Sequence, residues 1–169
     1  CTGEEGYRCC RETAKIAAKV LKIPEDSVLV ASTGVIGQQI PMDKITEGVK
    51  MLAPLLSNSR EAASLAAQAI MTTDTRQKEI AISVEIGGKT VIVGGMCKGS
   101  GMIHPNMCTM LSFLTTDANI SKEMLQEALS EVVKYTYNMV SVDGDTSTND
   151  TVLLLANGLA GNSMINKKD

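Results

Sequence analysis

Lys78-Glu79-Ile80-Ala81-Ile82-Ser83-Val84-Glu85-Ile86-Gly87-Gly88-Lys89-Thr90-Val91-Ile92-Val93 is an alternating run that turns back on itself. Ile80, Ile82, Val84 and Ile86 recur at every second position, so in an extended chain they share one face. Gly87-Gly88 is a two-residue turn of the kind that tolerates positive φ at both positions, and Thr90 to Val93 supplies the return strand. The run therefore predicts a β-hairpin. Downstream, Gly94 to Thr109 is too rich in Gly and Pro to be regular and too apolar to be a solvated linker, which marks it as a loop of functional type. Met110, Leu111, Phe113 and Leu114 then read as a buried strand. Ser121 has the position of an N-cap, and Met124, Leu125, Ala128, Leu129, Val132 and Val133 lie on the inner side of the helix it opens. A polar stretch, Asp143 to Asp150, precedes a last strand-like run, Val152 to Ala156, and Gly158 to Asp169 reads as a frayed or linking end.

Upstream of the hairpin the period changes. Thr2-Gly3-Glu4-Glu5 has capping-box spacing, and Ala14, Ala17, Ala18 and Leu21 recur at helical intervals until Pro24. Ser27-Val28-Leu29-Val30-Ala31 has the length and composition of a strand, and Ser32 to Gly37 marks its exit into a loop. Pro41 suits a first helical turn, with Ile45, Val49 and Leu52 on one face up to Pro54, and a further helix is expected from Arg60 to Ile70. Helices and strands interleave throughout, so the fold class is α/β or α+β.

Composition narrows the function. The 169 residues carry 16 Lys+Arg against 19 Asp+Glu, a net charge of −3, and 44% of them are hydrophobic, which suits one domain. No basic stripe is present to neutralise phosphates, and aromatic residues make up only 2% of the chain, so nucleic acid and anionic membrane are not expected partners. No apolar stretch approaches a bilayer span, and no signal or transit pattern is evident. Five cysteines without a CxxC pair argue against a disulfide framework and a zinc site, and a cytoplasmic location is expected. Cys9 and Cys10, adjacent in a helix, read as one core thiol and one partly exposed thiol.

Spacing excludes several familiar sites. Lys98 precedes Gly99 rather than following a glycine as in a P-loop, and Gly99-Ser100-Gly101 lacks the third glycine of a dinucleotide fingerprint. Counted from Asp143, the sixth and twelfth positions are Thr148 and Leu154, which is not an EF-hand. No metal is expected. The single histidine, His104, sits beside Pro105 and reads as a loop hydrogen-bonder. A hydroxyl nucleophile can work without histidine when it becomes a chain terminus, because its α-amine, with a pKa of about 7.7 to 8, accepts the proton. Thr109, between Cys108 and the strand that starts at Met110, has the loop-to-strand position such self-cleavage needs, although Thr at a strand start is also common as a structural residue.

Lys98 to Leu111, with Thr115-Thr116-Asp117-Ala118 behind it, resembles the autoprocessing segment of the glutamate N-acetyltransferase family, the ornithine acetyltransferases of arginine biosynthesis. Asp143 to Thr151, Ser32 to Gly37 and Cys1-Thr2-Gly3 resemble three further motifs of that family, in the same order. The resemblance implies an αββα-like sandwich of the ornithine acetyltransferase and DmpA-like type. It implies a precursor that cuts itself between Cys108 and Thr109, dividing the chain into 1–108, the end of an α-chain-like segment, and 109–169, the start of a β-chain-like segment. The two would stay associated, in a homo-oligomer of αβ units. By the same resemblance Thr109 is the nucleophile that carries acetyl from N-acetylornithine to glutamate, Thr33 and Gly34 form the oxyanion hole, and Thr72 and Lys98 contact substrate. No cofactor is implied, with acetyl-CoA as a possible donor. Cys108 stands where the family usually has Ala, another small residue.

The residues by themselves leave other readings open. Gly34 is equally a turn glycine, Thr72 a helix-end hydroxyl and Lys98 a solvated loop charge, and Asp143 to Asp150 reads either as a structural Asx-turn network, the role expected here, or as part of the site. A β-aminopeptidase-like hydrolase would share the self-cleaved nucleophile but pass the acyl group to water. A metabolite-binding or assembly domain would keep the fold with Thr109 inert.

Overall fold

A computed structural model describes residues 2–102 and 110–168. By contacts the chain divides into two compact units, Cys1–Ala63 and Ser64–Asp169. This is a division by packing, whereas 1–108 and 109–169 refers to a cleavage point.

The first unit is helical. α1 spans Gly3–Leu21 and α2 spans Met42–Leu52. Thr2 stands at the N-cap of α1 in extended conformation, but its side chain makes no capping hydrogen bond, so the expected capping box is not formed. The helix ends at Lys22, whose left-handed conformation (φ 57°) lets its N–H reach the carbonyl of Ala18, two residues before Pro24. Cys9 is buried and Cys10 half-buried, as their adjacency in a helix requires. Pro41 caps α2, where its missing N–H costs nothing, and Ile45 and Val49 are half-buried while Leu52 is exposed. The stretch 28–31 is not a strand. Val28 has extended dihedrals, but the run pairs with nothing among the described residues, and apolar character alone does not make a strand without a neighbouring ladder. α3, Arg60–Ala69, contains the boundary between the units.

The second unit is built on a four-stranded sheet, β1 (Lys78–Ile86), β2 (Lys89–Lys98), β3 (Leu111–Thr116) and β4 (Thr151–Ala156), in the order β1-β2-β3-β4. The hairpin forms as expected. Ile86 faces Lys89 across Gly87 and Gly88, whose φ values of +58° and +73° suit a primed turn. β2 does not stop at Val93. It continues through Gly94 and Gly95 to Lys98, because β1 and β3 supply backbone partners on both sides. Gly95 is closely packed there: a Cβ would overlap the end of the Leu114 side chain, which would have to move, and lie 3.2 Å from the carbonyl of Phe113. β2 and β3 are antiparallel, and β3 and β4 are parallel, joined through α4 (Lys122–Tyr135).

Ser121 caps α4 as predicted, its hydroxyl accepting from the N–H of Met124 at 3.2 Å. Met124, Leu125, Leu129 and Val133 are half-buried, but Ala128 and Val132 of the expected inner side are exposed, so the buried stripe is narrower than the sequence suggests. After α4 the Tyr137 hydroxyl meets Ser112 Oγ at 2.7 Å, placing a helical turn against the β3 face that carries Ser112. The end of the chain is docked rather than frayed. Asn162 is buried, and its side chain accepts from the N–H of Asn119 (2.8 Å) and donates to the Asn119 carbonyl (3.1 Å). Ile165 pairs with Ile120, and Lys168 bridges Glu127 and Glu131 on α4. The mixed α/β class holds, and no described helix is long and apolar enough to cross a membrane.

Candidate functional site

Extension of β2 to Lys98 changes the standing of that lysine. It is not a solvated loop charge but is buried at the strand end, 3% exposed, level with Leu111 on β3, which is itself level with Thr151 on β4. This row defines one end of the sheet. Gly99, Met110 and Asp150, each one residue beyond its strand, lie at that same end.

A buried carboxylate ties a second segment to it. Asp74, in the turn after α3, has no exposed side-chain surface. One of its oxygens accepts from the backbone N–H of Gly99 at 2.9 Å and from the Lys78 ammonium, and the other accepts from the N–H of Thr72 at 3.4 Å. Burial alone would push this carboxyl upward; the Lys78 hydrogen bond and the Gly99 and Thr72 amides outweigh it and hold the pKa at about 2. Asp74 is therefore an anion at neutral pH. Thr73 and Ser100 add a hydroxyl–hydroxyl contact of 2.7 Å between the same segments. Thr72 and the Lys98-Gly99 strand end, separate in sequence, are thus brought together, and Thr72 is an exposed hydroxyl in the turn after α3 rather than a helix-end residue.

The acidic stretch borders this region. Asp150 Oδ1 accepts from the N–H of Met110 at 2.8 Å, while its Oδ2 is buried with no hydrogen-bond partner among the described residues. Burial pushes this carboxyl above its ordinary value, against the opposing pull of the Met110 and Ser147 amides and the Lys98 charge. Asp143 accepts from the N–H of Met102 through Oδ2 and from Asp145 through Oδ1. Met102 is held at φ +56°, a conformation rare for a residue with a side chain.

Cys97, next to Lys98, points to the other face of the sheet, and burial pushes its thiol upward, so it is protonated and a poor nucleophile at neutral pH. A cleft of about 240 Å³ on that other face is lined by Lys78, Ile80, Cys97, Ser112, Leu114 and Tyr137. Its Ser112 and Tyr137 hydroxyls are engaged with each other, and Lys98 does not line it.

Thr33 and Gly34 belong to the first unit and are described there alone. Thr33 is half-buried and Gly34 exposed. In that loop the positive φ falls on Gly37 (+85°), and a Cβ at Gly34 would meet nothing within 4 Å, so neither turn conformation nor packing in its own unit requires glycine at 34. Cys108, Thr109 and His104 lie outside the described residues.

A profile of the ArgJ family matches residues 1–169. The chain belongs to the ArgJ family. It is 56% identical over 165 residues to the arginine biosynthesis bifunctional protein ArgJ of Symbiobacterium thermophilum, covering 98% of this chain and 40% of that protein. It is 53% identical over 169 residues to arginine biosynthesis bifunctional protein ArgJ 1 of Clostridium acetobutylicum, covering 41% of it. The chain thus spans about 40% of the length of these curated relatives. Among solved structures, the crystal structure of arginine biosynthesis bifunctional protein ArgJ from Bacillus halodurans is similar, with a TM-score of 0.57 and 44% identity over 63% of this chain and 55% of that one.

Asp74 is the functional-region residue that sequence reasoning missed. Its signal was the Asp74/Lys78 charge pair four positions apart, which carries no weight where the chain passes from a turn into a strand rather than along a helix.

Proposed function

We propose that this chain carries the acyl-transfer centre of an enzyme that moves an acetyl group from N-acetylornithine to glutamate. Thr109, freed by self-cleavage after Cys108, is the nucleophile in this reading. Its α-amine takes up the hydroxyl proton as the donor's acetyl carbonyl is attacked, ornithine leaves, and glutamate then accepts the acetyl group. Thr33 Oγ1 and the backbone N–H at Gly34 donate to the oxyanion, Lys98 holds a substrate carboxylate, and Thr72 lies beside it. No prosthetic group is needed, and acetyl-CoA is an alternative donor. The α-like and β-like segments stay associated, αβ units assemble further, and the enzyme works in the cytoplasm.

The observation that supports this best is the buried Lys98 at the sheet end next to Met110, tied through Asp74 to Thr72, in a chain of the ArgJ family. A cation in so enclosed a place favours an anionic partner, and a substrate carboxylate is one.

The test uses the protein completed to the length of its relatives. N-acetylornithine given alone should leave one acetyl group on the enzyme, mapped to Thr109, and glutamate should remove it. Acetyl on another residue, or kinetics that require both substrates bound together, would contradict the proposal, and transfer to water alone would select the hydrolase.

A further inference from the structure

We propose that Asp74 and Lys78 are positioning residues for the substrate carboxylate: Asp74 fixes the Thr72 turn against the Lys98-Gly99 strand end, and Lys78 supplies its counter-charge from the opposite face of the sheet. This rests on the reading of Lys98 and Thr72 as substrate contacts.

Asp74 and Gly99 are 25 residues apart, so the 2.9 Å bond between them joins two separate segments, while the second oxygen turns back to the Thr72 amide at 3.4 Å. The Asp74 side chain is fully buried, which shields these bonds from water and fixes their geometry. A further tie between the segments, from Thr73 to Ser100, is exposed, and water competes there for both hydroxyls. Gly99 leaves β2 at φ +146°, a conformation open to glycine and rare for other residues. Its nitrogen belongs to the peptide that joins it to Lys98, so the bond to Asp74 fixes the direction in which the backbone carries the Lys98 side chain. Amide donors to a carboxylate make strong, directional bonds, which suits such a role.

The charges are kept apart. An unpaired anion bonded to the residue after Lys98 would compete with substrate for the Lys98 ammonium. Lys78 removes that competition: level with Cys97, it lies on the face opposite to Lys98 and pairs with Asp74. Lys98 is 3% exposed, and its ammonium makes no hydrogen bond or ion pair among the described residues; Asp150 acts on it as a neighbouring charge. Lys98 is thus held through its backbone while its charge is left to an incoming carboxylate. Thr72, tied through its own amide, is held at the same end of the sheet with its side chain exposed.

The experiment measures KM and kcat for N-acetylornithine and for glutamate, on processed enzyme completed to its relatives' length. Asp74→Asn keeps the size of the side chain but leaves one acceptor oxygen, which serves either Gly99 and Lys78 or Thr72 and never both. KM for both substrates should rise roughly tenfold while kcat changes by less than about threefold, because a misplaced carboxylate contact weakens ground state and transition state alike. In a Lys98→Met background the same substitution should raise KM by less than about threefold, since its effect runs mainly through Lys98, whereas a general structural loss would act equally in both backgrounds. Lys78→Arg should match the parent, and Lys78→Met should behave as Asp74→Asn does. Parental KM in Asp74→Asn, loss of kcat at parental KM, equal KM effects with and without Lys98, or Lys78→Arg as impaired as Lys78→Met would each overturn the proposal. The Lys78 comparison holds even where Asp74→Asn does not fold. A parent that moves no acetyl group from N-acetylornithine to glutamate would instead overturn the reading on which the proposal rests.

Discussion

At the scale of residues, Asp74 holds structure in the second unit, and Lys98 is the charge that the proposed function offers to substrate. Asp74 is held at about 2 against an ordinary 3.8, so its deprotonated form is favoured by folding. Its stabilisation is fully present above pH 3.8 and is lost as pH falls through about 2. Urea unfolding measured as a function of pH should therefore fall across that interval in the parent and fall less in Asp74→Asn. Equal slopes would show that Asp74 is not the group responsible. Lys98 and Thr33 should separate kinetically on processed enzyme. A carboxylate persists from ground state to transition state, so Lys98→Met, which keeps the buried stem, should mainly raise KM. An oxyanion exists only at the tetrahedral stage, so Thr33→Ala should mainly lower kcat, by roughly 100-fold or more. Thr33→Ala turning over like the parent would remove Thr33 from the oxyanion hole. The resemblance singled out Lys98 and Thr72 in sequence, whereas Asp74, which ties the two segments together, needed the fold, because its partner Gly99, 25 residues away, becomes a neighbour only after β1 and β2 pair.

At the scale of elements, local chemistry was legible and pairing was not. The Gly87-Gly88 hairpin and the Ser121 cap follow from rules acting over a few residues, and both are present. Loss of that cap in Ser121→Ala should cost about 1 kcal/mol by chemical denaturation. β2 extended past Val93 because a glycine pair reads as a loop until flanking strands satisfy its backbone, and 28–31 lost its strand assignment because no neighbour pairs with it among the described residues. Gly95 is where this matters most. Gly95→Ala should destabilise by about 1–3 kcal/mol through overlap with Leu114, and Leu114→Ala in the same chain should recover part of that loss. An additive double variant would mean that the two positions do not share the space.

At the scale of the whole molecule, the α/β class was legible because helical and alternating periods are strong local signals. Docking of the chain's end through Asn119 and Asn162 was not, since a polar stretch with two glycines has no pattern that announces a distant partner. The acidic stretch gives the same lesson: it looks like a turn, and its two outward bonds to Met102 and Met110 appear only in three dimensions. The proposed chemistry depends on one event, a break before Thr109. Terminal sequencing and intact-mass analysis of the purified protein, completed to the length of its relatives, test it directly. The account predicts two associated pieces, one ending at Cys108 and one beginning Thr-Met-Leu-Ser-Phe, with Thr109→Ala remaining whole; a parent chain that stays intact for days, or breaks at another bond, would contradict it.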